Sequence, residues 1–152
     1  MINKDYLMRI VDQLAKVITK VLYLMDQKQY PEAHKELDAI GTKITGFPWN
    51  SYKNMTAGSM MELLSMGGKF DTDRAALVIH LLTLEADLAL DEGNDPESIS
   101  LRMNALLLSM EIHRESPHDE NLKIAKELLY TIEDSDLPVD KDLIEEIKGE
   151  LM

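Results

Sequence analysis

Apolar residues recur at three- and four-residue spacing through most of the chain, the period at which side chains share one face of an α-helix. The first such stripe comprises Leu7, Ile10, Val11, Leu14, Val17, Ile18, Val21, Leu22 and Met25, with Asn3 placed to cap it. It predicts a helix of about six turns. Tyr30-Pro31-Glu32 restarts the chain, proline suiting a first helical turn, and Ala33, Leu37, Ile40 and Ile44 give a second helix one apolar face. Residues 45–58 break the pattern: Gly46, Phe47, Pro48, Trp49, Asn50, Asn54 and Gly58 read as an irregular, aromatic-containing loop. Ser59 with Glu62 fits a capping box for a short third helix through Met66, which Gly67-Gly68 stops.

Asp71 or Thr72 opens a fourth helix that ends at Gly93, and Asp95-Pro96 opens a fifth that ends near Glu115. Both are apolar on most of their circumference, through Leu77, Val78, Leu81, Leu82, Leu84 and Leu88 in one and Ile99, Met103, Leu106, Leu107 and Met110 in the other. Helices of that kind are buried, so these two are expected at the centre. Ser116-Pro117 starts a sixth helix that reaches about Glu133, and an acidic terminal helix occupies 138–152. No segment alternates at period two. The expectation is a single all-α domain over 1–152 with about seven helices.

Composition narrows this further. The 152 residues include 10 Met but only 8 aromatics, a palette that favours helices over strands. There is no cysteine, which removes disulfides, thiol nucleophiles and thiolate metal sites. The formal charge of −12 is graded: residues 1–30 carry a net +2 and residues 131–152 a net −6. Most of such a surface repels phosphate, so nucleic-acid and anionic-membrane partners are not expected. No apolar run reaches transmembrane length, and Asp5 and Asp12 interrupt any secretory signal, which leaves the bacterial cytoplasm as the expected location.

Motifs for catalysis are sparse. Gly67-Gly68-Lys69 lacks the earlier glycine and following Ser/Thr of a phosphate loop, having Leu63 and Phe70 there. No Glu-x-x-His occurs, which excludes a ferritin-like di-metal site. Glu111, His113, Glu115 and His118 cluster at a helix junction but do not share a face, and His34 with Asp38 reads as a surface pair. His80 and Glu85 lie on the apolar fourth helix; His80 is expected in a core or interface, and a buried Glu85 needs a partner. Together these two are the candidate pocket for a small molecule or an enzymatic site between the central helices. Phe47, Trp49 and Tyr52 either plug the end of the helical stack or form a partner-binding hot spot. No cofactor or metal site is indicated.

Two helix joints look alike: YLMDQKQYPEAHKELDAI at 23–40 and ALDEGNDPESISLRMNAL at 89–106. Both resemble the turn of a tetratricopeptide repeat, with Glu32-Ala33 and Glu97-Ser98 where the acidic and small residues begin the second helix, and Gly93 as the linking glycine. Over roughly residues 4–130 the chain also resembles an uncharacterised Firmicutes family of small helical proteins. The resemblance rests on Asp5-Tyr6-Leu7-Met8-Arg9, Tyr30-Pro31-Glu32-Ala33 and Gly67-Gly68-Lys69 with Asp71. It implies a tetratricopeptide-like stack of antiparallel helical hairpins and brings no activity with it. The expected function is a non-catalytic protein-interaction module, its partner a protein or peptide of basic character, with a homodimer as a variant.

Overall fold

In the computed structural model, residues 3–135 and 137–152 are described, and they form eight helices and no strand. The helices are α1 (Lys4–Asp26), α2 (Tyr30–Thr45), α3 (Trp49–Tyr52), α4 (Ala57–Leu64), α5 (Thr72–Asp91), α6 (Asp95–Glu115), α7 (Asp119–Glu133) and α8 (Lys141–Leu151). Caps fix several boundaries. Asn3, Asp71 and Asp140 each accept a first-turn backbone N–H, satisfying donors that the helix leaves free. Two starts differ from the sequence expectation. Thr56 Oγ1, not Ser59, caps α4, because Ser59 supplies the backbone N–H that Thr56 accepts. His118 caps α7 through Nδ1, which moves Pro117 outside the helix. The extra helix is a single turn inside 45–58, folded around Trp49 and Tyr52.

Helices pack in chain order. The pairs α1 with α2, α5 with α6 and α7 with α8 are joined through α1 and α2 against α5 and through α6 against α7, while α4 lies against α6. Eleven of the twenty residues of α5 are buried, more than in any other described helix, which puts α5 at the centre. The larger core gathers α1 to α6 and includes Leu101, Ala105 and Leu108 from one face of α6. The opposite face of α6 gives Leu106 and Met110 to a second core, with Ala125, Leu129, Ile132, Ile144, Ile147 and Leu151. An all-round apolar α6 is thus the shared wall of two cores.

The two similar joints close with the same hydrogen bonds. Gln27, Lys28 and Gln29 donate to the carbonyls of Tyr23, Met25 and Leu24; sixty-five residues on, Glu92, Gly93 and Asn94 donate to Leu88, Leu90 and Ala89. Lys28 (φ 57°) takes the left-handed place that Gly93 (φ 83°) holds in the second joint. The small residues Ala33 and Ser98 are fully buried, which lets each hairpin's helices approach closely. Ser98 also donates to the carbonyl of Ala86 at 2.8 Å, a bond that ties α6 to α5. Among the described residues, no helix is long and apolar enough to cross a membrane.

Candidate functional site

The first helix of each pair turns one stripe toward a common groove. Ala76, His80, Thr83 and Asp87 of α5 form its floor; Ile18 and Leu22 of α1 stand on one side, and Asn121, Ile124, Leu128 and Thr131 of α7 on the other. The volume is about 520 Å³. A depression of about 380 Å³ continues it along α1 and α5, sharing Ile18, Ala76 and His80 and adding Leu7, Val11, Ala15 and Asp73. Val11 (46%), Leu22 (50%) and Ile124 (42%) are left exposed along this trough. Scattered exposed aliphatics are ordinary, whereas several lining one concavity mark a surface with a use.

Charge in the groove has one sign. Asp73, Asp87 and Glu127 line it, and no Lys or Arg does among the described residues. Asp87 accepts a hydrogen bond at 2.7 Å from Nη2 of Arg102, whose side chain is buried behind it.

Comparison with protein-family models, with curated proteins and with solved structures returned no match to this chain.

The opposite side of α5 carries a closed polar cluster. Glu85 is 2% exposed, and its Oε1 accepts from Trp49 Nε1 at 2.9 Å while its Oε2 accepts from Lys53 Nζ at 3.3 Å. His34 Nδ1 lies 3.9 Å from the same Oε2, and His34 Nε2 lies 2.7 Å from Glu92 Oε1. The expected partner of His34 on its own helix, Asp38, is thereby replaced by carboxylates of the neighbouring hairpin. Tyr30 adds a bond from its hydroxyl to Asp91 at 3.0 Å, which raises the phenol's pKa because the neutral form is the donor. These bonds fasten α2 and the α3 turn to α5.

Trp49 and Tyr52 are each 1% exposed and stack with ring centroids 5.9 Å apart. Their place depends on Gly41, since a Cβ there would overlap the indole. Thr42 Oγ1 accepts from the Trp49 backbone N–H at 3.1 Å, and the Tyr52 hydroxyl donates to the Met60 carbonyl at 3.2 Å. Burial raises the Tyr52 phenol pKa above its ordinary value. Both rings therefore serve as core, and Phe47 alone of the three keeps partial exposure.

His80 is exposed on the groove floor, not in the core, because α5 leaves one face of small and polar side chains uncovered. Five residues separate it from Glu85, about 140° around the helix. The structure sends them to opposite sides and does not bring them to one pocket. Among the described residues no three His, Asp or Glu side chains gather as metal donors. At the α6–α7 junction, Arg114 instead bonds Glu111 at 3.1 Å and both oxygens of Glu150 at 2.7 Å. That bond lowers the pKa of Glu150 and raises that of Arg114.

The groove stripe was missed by sequence reasoning, although a signal was present. Ala76, His80, Thr83 and Asp87 interrupt the apolar circumference of α5 at spacings of four, three and four. The apolar face of α1 is also wider than a single neighbour can cover.

Proposed function

We propose that this chain is a non-catalytic protein-interaction module, a tetratricopeptide-like stack of helical hairpins whose first helices offer a concave face to a protein or peptide partner. One observation carries the reading: a continuous trough across α1, α5 and α7, lined by exposed aliphatic side chains and by carboxylates without a lysine or arginine. Stacked hairpins bury a continuous core and leave such an extended face, which suits capture of a chain segment by shape and apolar contact. The repeat-like joints at 23–40 and 89–106 agree with this reading. A cysteine-free composition suits a cytoplasmic place of work.

A photocrosslinking residue placed at Thr83, on the groove floor, tests the proposal in cells of the source organism. The expected result is one dominant adduct that is lost on Ala76→Arg and absent when the crosslinker is moved to Met66, exposed well away from the groove. Identical adduct patterns from Thr83 and Met66 would contradict it.

A further inference from the structure

We infer that the occupant of the groove is a single amphipathic α-helix with a basic outer face, an inference that rests on the interaction reading above. The spacing of the lining side chains carries it. Among the lining side chains that reach the surface are Val11, Ala15, Ile18 and Leu22 on α1 and Ala76, His80, Thr83 and Asp87 on α5. Both sets advance by four, three and four residues. On α7, Asn121, Ile124, Leu128 and Thr131 advance by three, four and three. Alternation of three and four is the seam that one helix presents to another, where each side chain of a partner enters a hole made by four residues of the facing helix.

The size and chemistry of the trough agree with a helical occupant. The seams cover eleven residue steps on α1 and α5 and ten on α7, a length along the helix of about 15–16 Å. A partner helix of roughly four turns covers it. Ala15 and Ala76 keep the α1–α5 side shallow, which permits close approach of a backbone cylinder, while Leu22 and Ile124 stand at the two walls to clasp apolar side chains at i, i+3, i+4 and i+7. An extended strand has side chains at a period of two and meets seams of this spacing out of register.

Charge selects the outer face of that helix. Asp73, Asp87 and Glu127 border the trough in a chain of net charge −12; Asp87 is already bonded to Arg102 and Glu127 lies 3.9 Å from the exposed Lys123, so Asp73 and the net field carry most of the selection. Lysines and arginines flanking the apolar stripe of the partner meet these carboxylates, and the field of the whole chain hastens the encounter. An acidic helix is disfavoured on the same ground.

Three labelled synthetic peptides of eighteen residues, read by fluorescence anisotropy and circular dichroism, test this. One carries leucine at i, i+3, i+4 and i+7 with lysine elsewhere; the second replaces every lysine by glutamate; the third keeps the leucine–lysine composition but has two central prolines. The expected result is saturable binding of the first peptide, with helix gained on binding. Affinity should fall at least about tenfold on Ala76→Arg or on the pair Leu22→Ser and Ile124→Ser, and about threefold or more on Asp73→Asn with Glu127→Gln. Met66→Ser, outside the groove, should leave it unchanged. Equal binding of the proline peptide would overturn the helical occupant, and equal binding of the glutamate peptide the basic one. Absence of saturable binding by the first peptide overturns the proposal, as does binding that Ala76→Arg leaves intact. The interaction reading itself falls only if the Thr83 crosslink is also indistinguishable from that at Met66.

Discussion

Removing the Glu85 carboxylate isolates the forces that hold the two halves of the larger core together. In Glu85→Ala the ammonium of Lys53, 7% exposed, loses its anionic partner, and the indole N–H of Trp49 loses its acceptor. An uncompensated buried charge of this kind costs about 3–5 kcal/mol. The Lys53 stem can swing part-way to water, which places the expected loss near the lower end, about 3 kcal/mol. Against a domain stability of about 5–15 kcal/mol this is a large fraction. Urea unfolding followed by the fluorescence of Trp49, the only tryptophan, reports directly on the site. With a slope of about 2 kcal/mol per molar urea, the midpoint should fall by about 1.5 M. Glu85→Gln should lose less, since its carbonyl still accepts from Trp49. Glu85→Leu with Lys53→Met should recover most of the loss, because a dry apolar pair replaces the ion pair. A fall below about 1 kcal/mol for Glu85→Ala would show that the Glu85–Lys53 pair is solvated and does not hold the core.

Further expectations follow from individual residues. Lys28→Gly should stabilise the chain by about 1 kcal/mol, since a side chain at φ 57° is strained where glycine is not; a thermal scan showing no gain would contradict this. Gly41→Ala should destabilise by about 1–3 kcal/mol despite the better helix propensity of alanine, because its Cβ meets the Trp49 ring; blue-shifted, unchanged Trp49 emission and full stability would count against it. For pH, burial raises the Tyr52 phenol in the folded state, so its contribution is fully present below the ordinary tyrosine value of about 10 and is lost as pH rises through that region. Alkaline unfolding should be less steep in Tyr52→Phe, as read by helical circular dichroism. Glu150 has the opposite sign: its depressed pKa gives a contribution present above the ordinary glutamate value of about 4.3 and lost as pH falls, and Arg114→Gln should remove that acid sensitivity from α8.

Much of the architecture was legible because helix ends here carry their own chemistry. Asn3, Asp71 and Gly93 act where the pattern placed them, and the joint at Lys28 copies that at Gly93 bond for bond despite the different residue. The turn at Trp49–Tyr52 was hidden, since Gly46, Pro48, Asn50, Asn54 and Gly58 in and around it resemble a loop and its helical form depends on Gly41 and Thr42 from another helix. Tertiary context also decided the site. Glu85 and His80 stand on the same apolar helix; the stripe that holds His80 was the only local hint that the two diverge, and nothing local points to Lys53 as the partner of Glu85. The exposed seam was written in α5 as Ala76, His80, Thr83 and Asp87, but its meaning depends on α1 and α7 presenting matching seams, a coincidence visible only in three dimensions.

Methyl NMR of the chain titrated with the leucine–lysine peptide locates the bound helix. Saturable shifts are expected at Ile18, Ala76, Ile79, Ile124 and Leu128, which line the groove, and none at Ile144 or Ile147, buried in the second core. Shifts scattered over the surface, or centred on α8, would contradict a site in the groove.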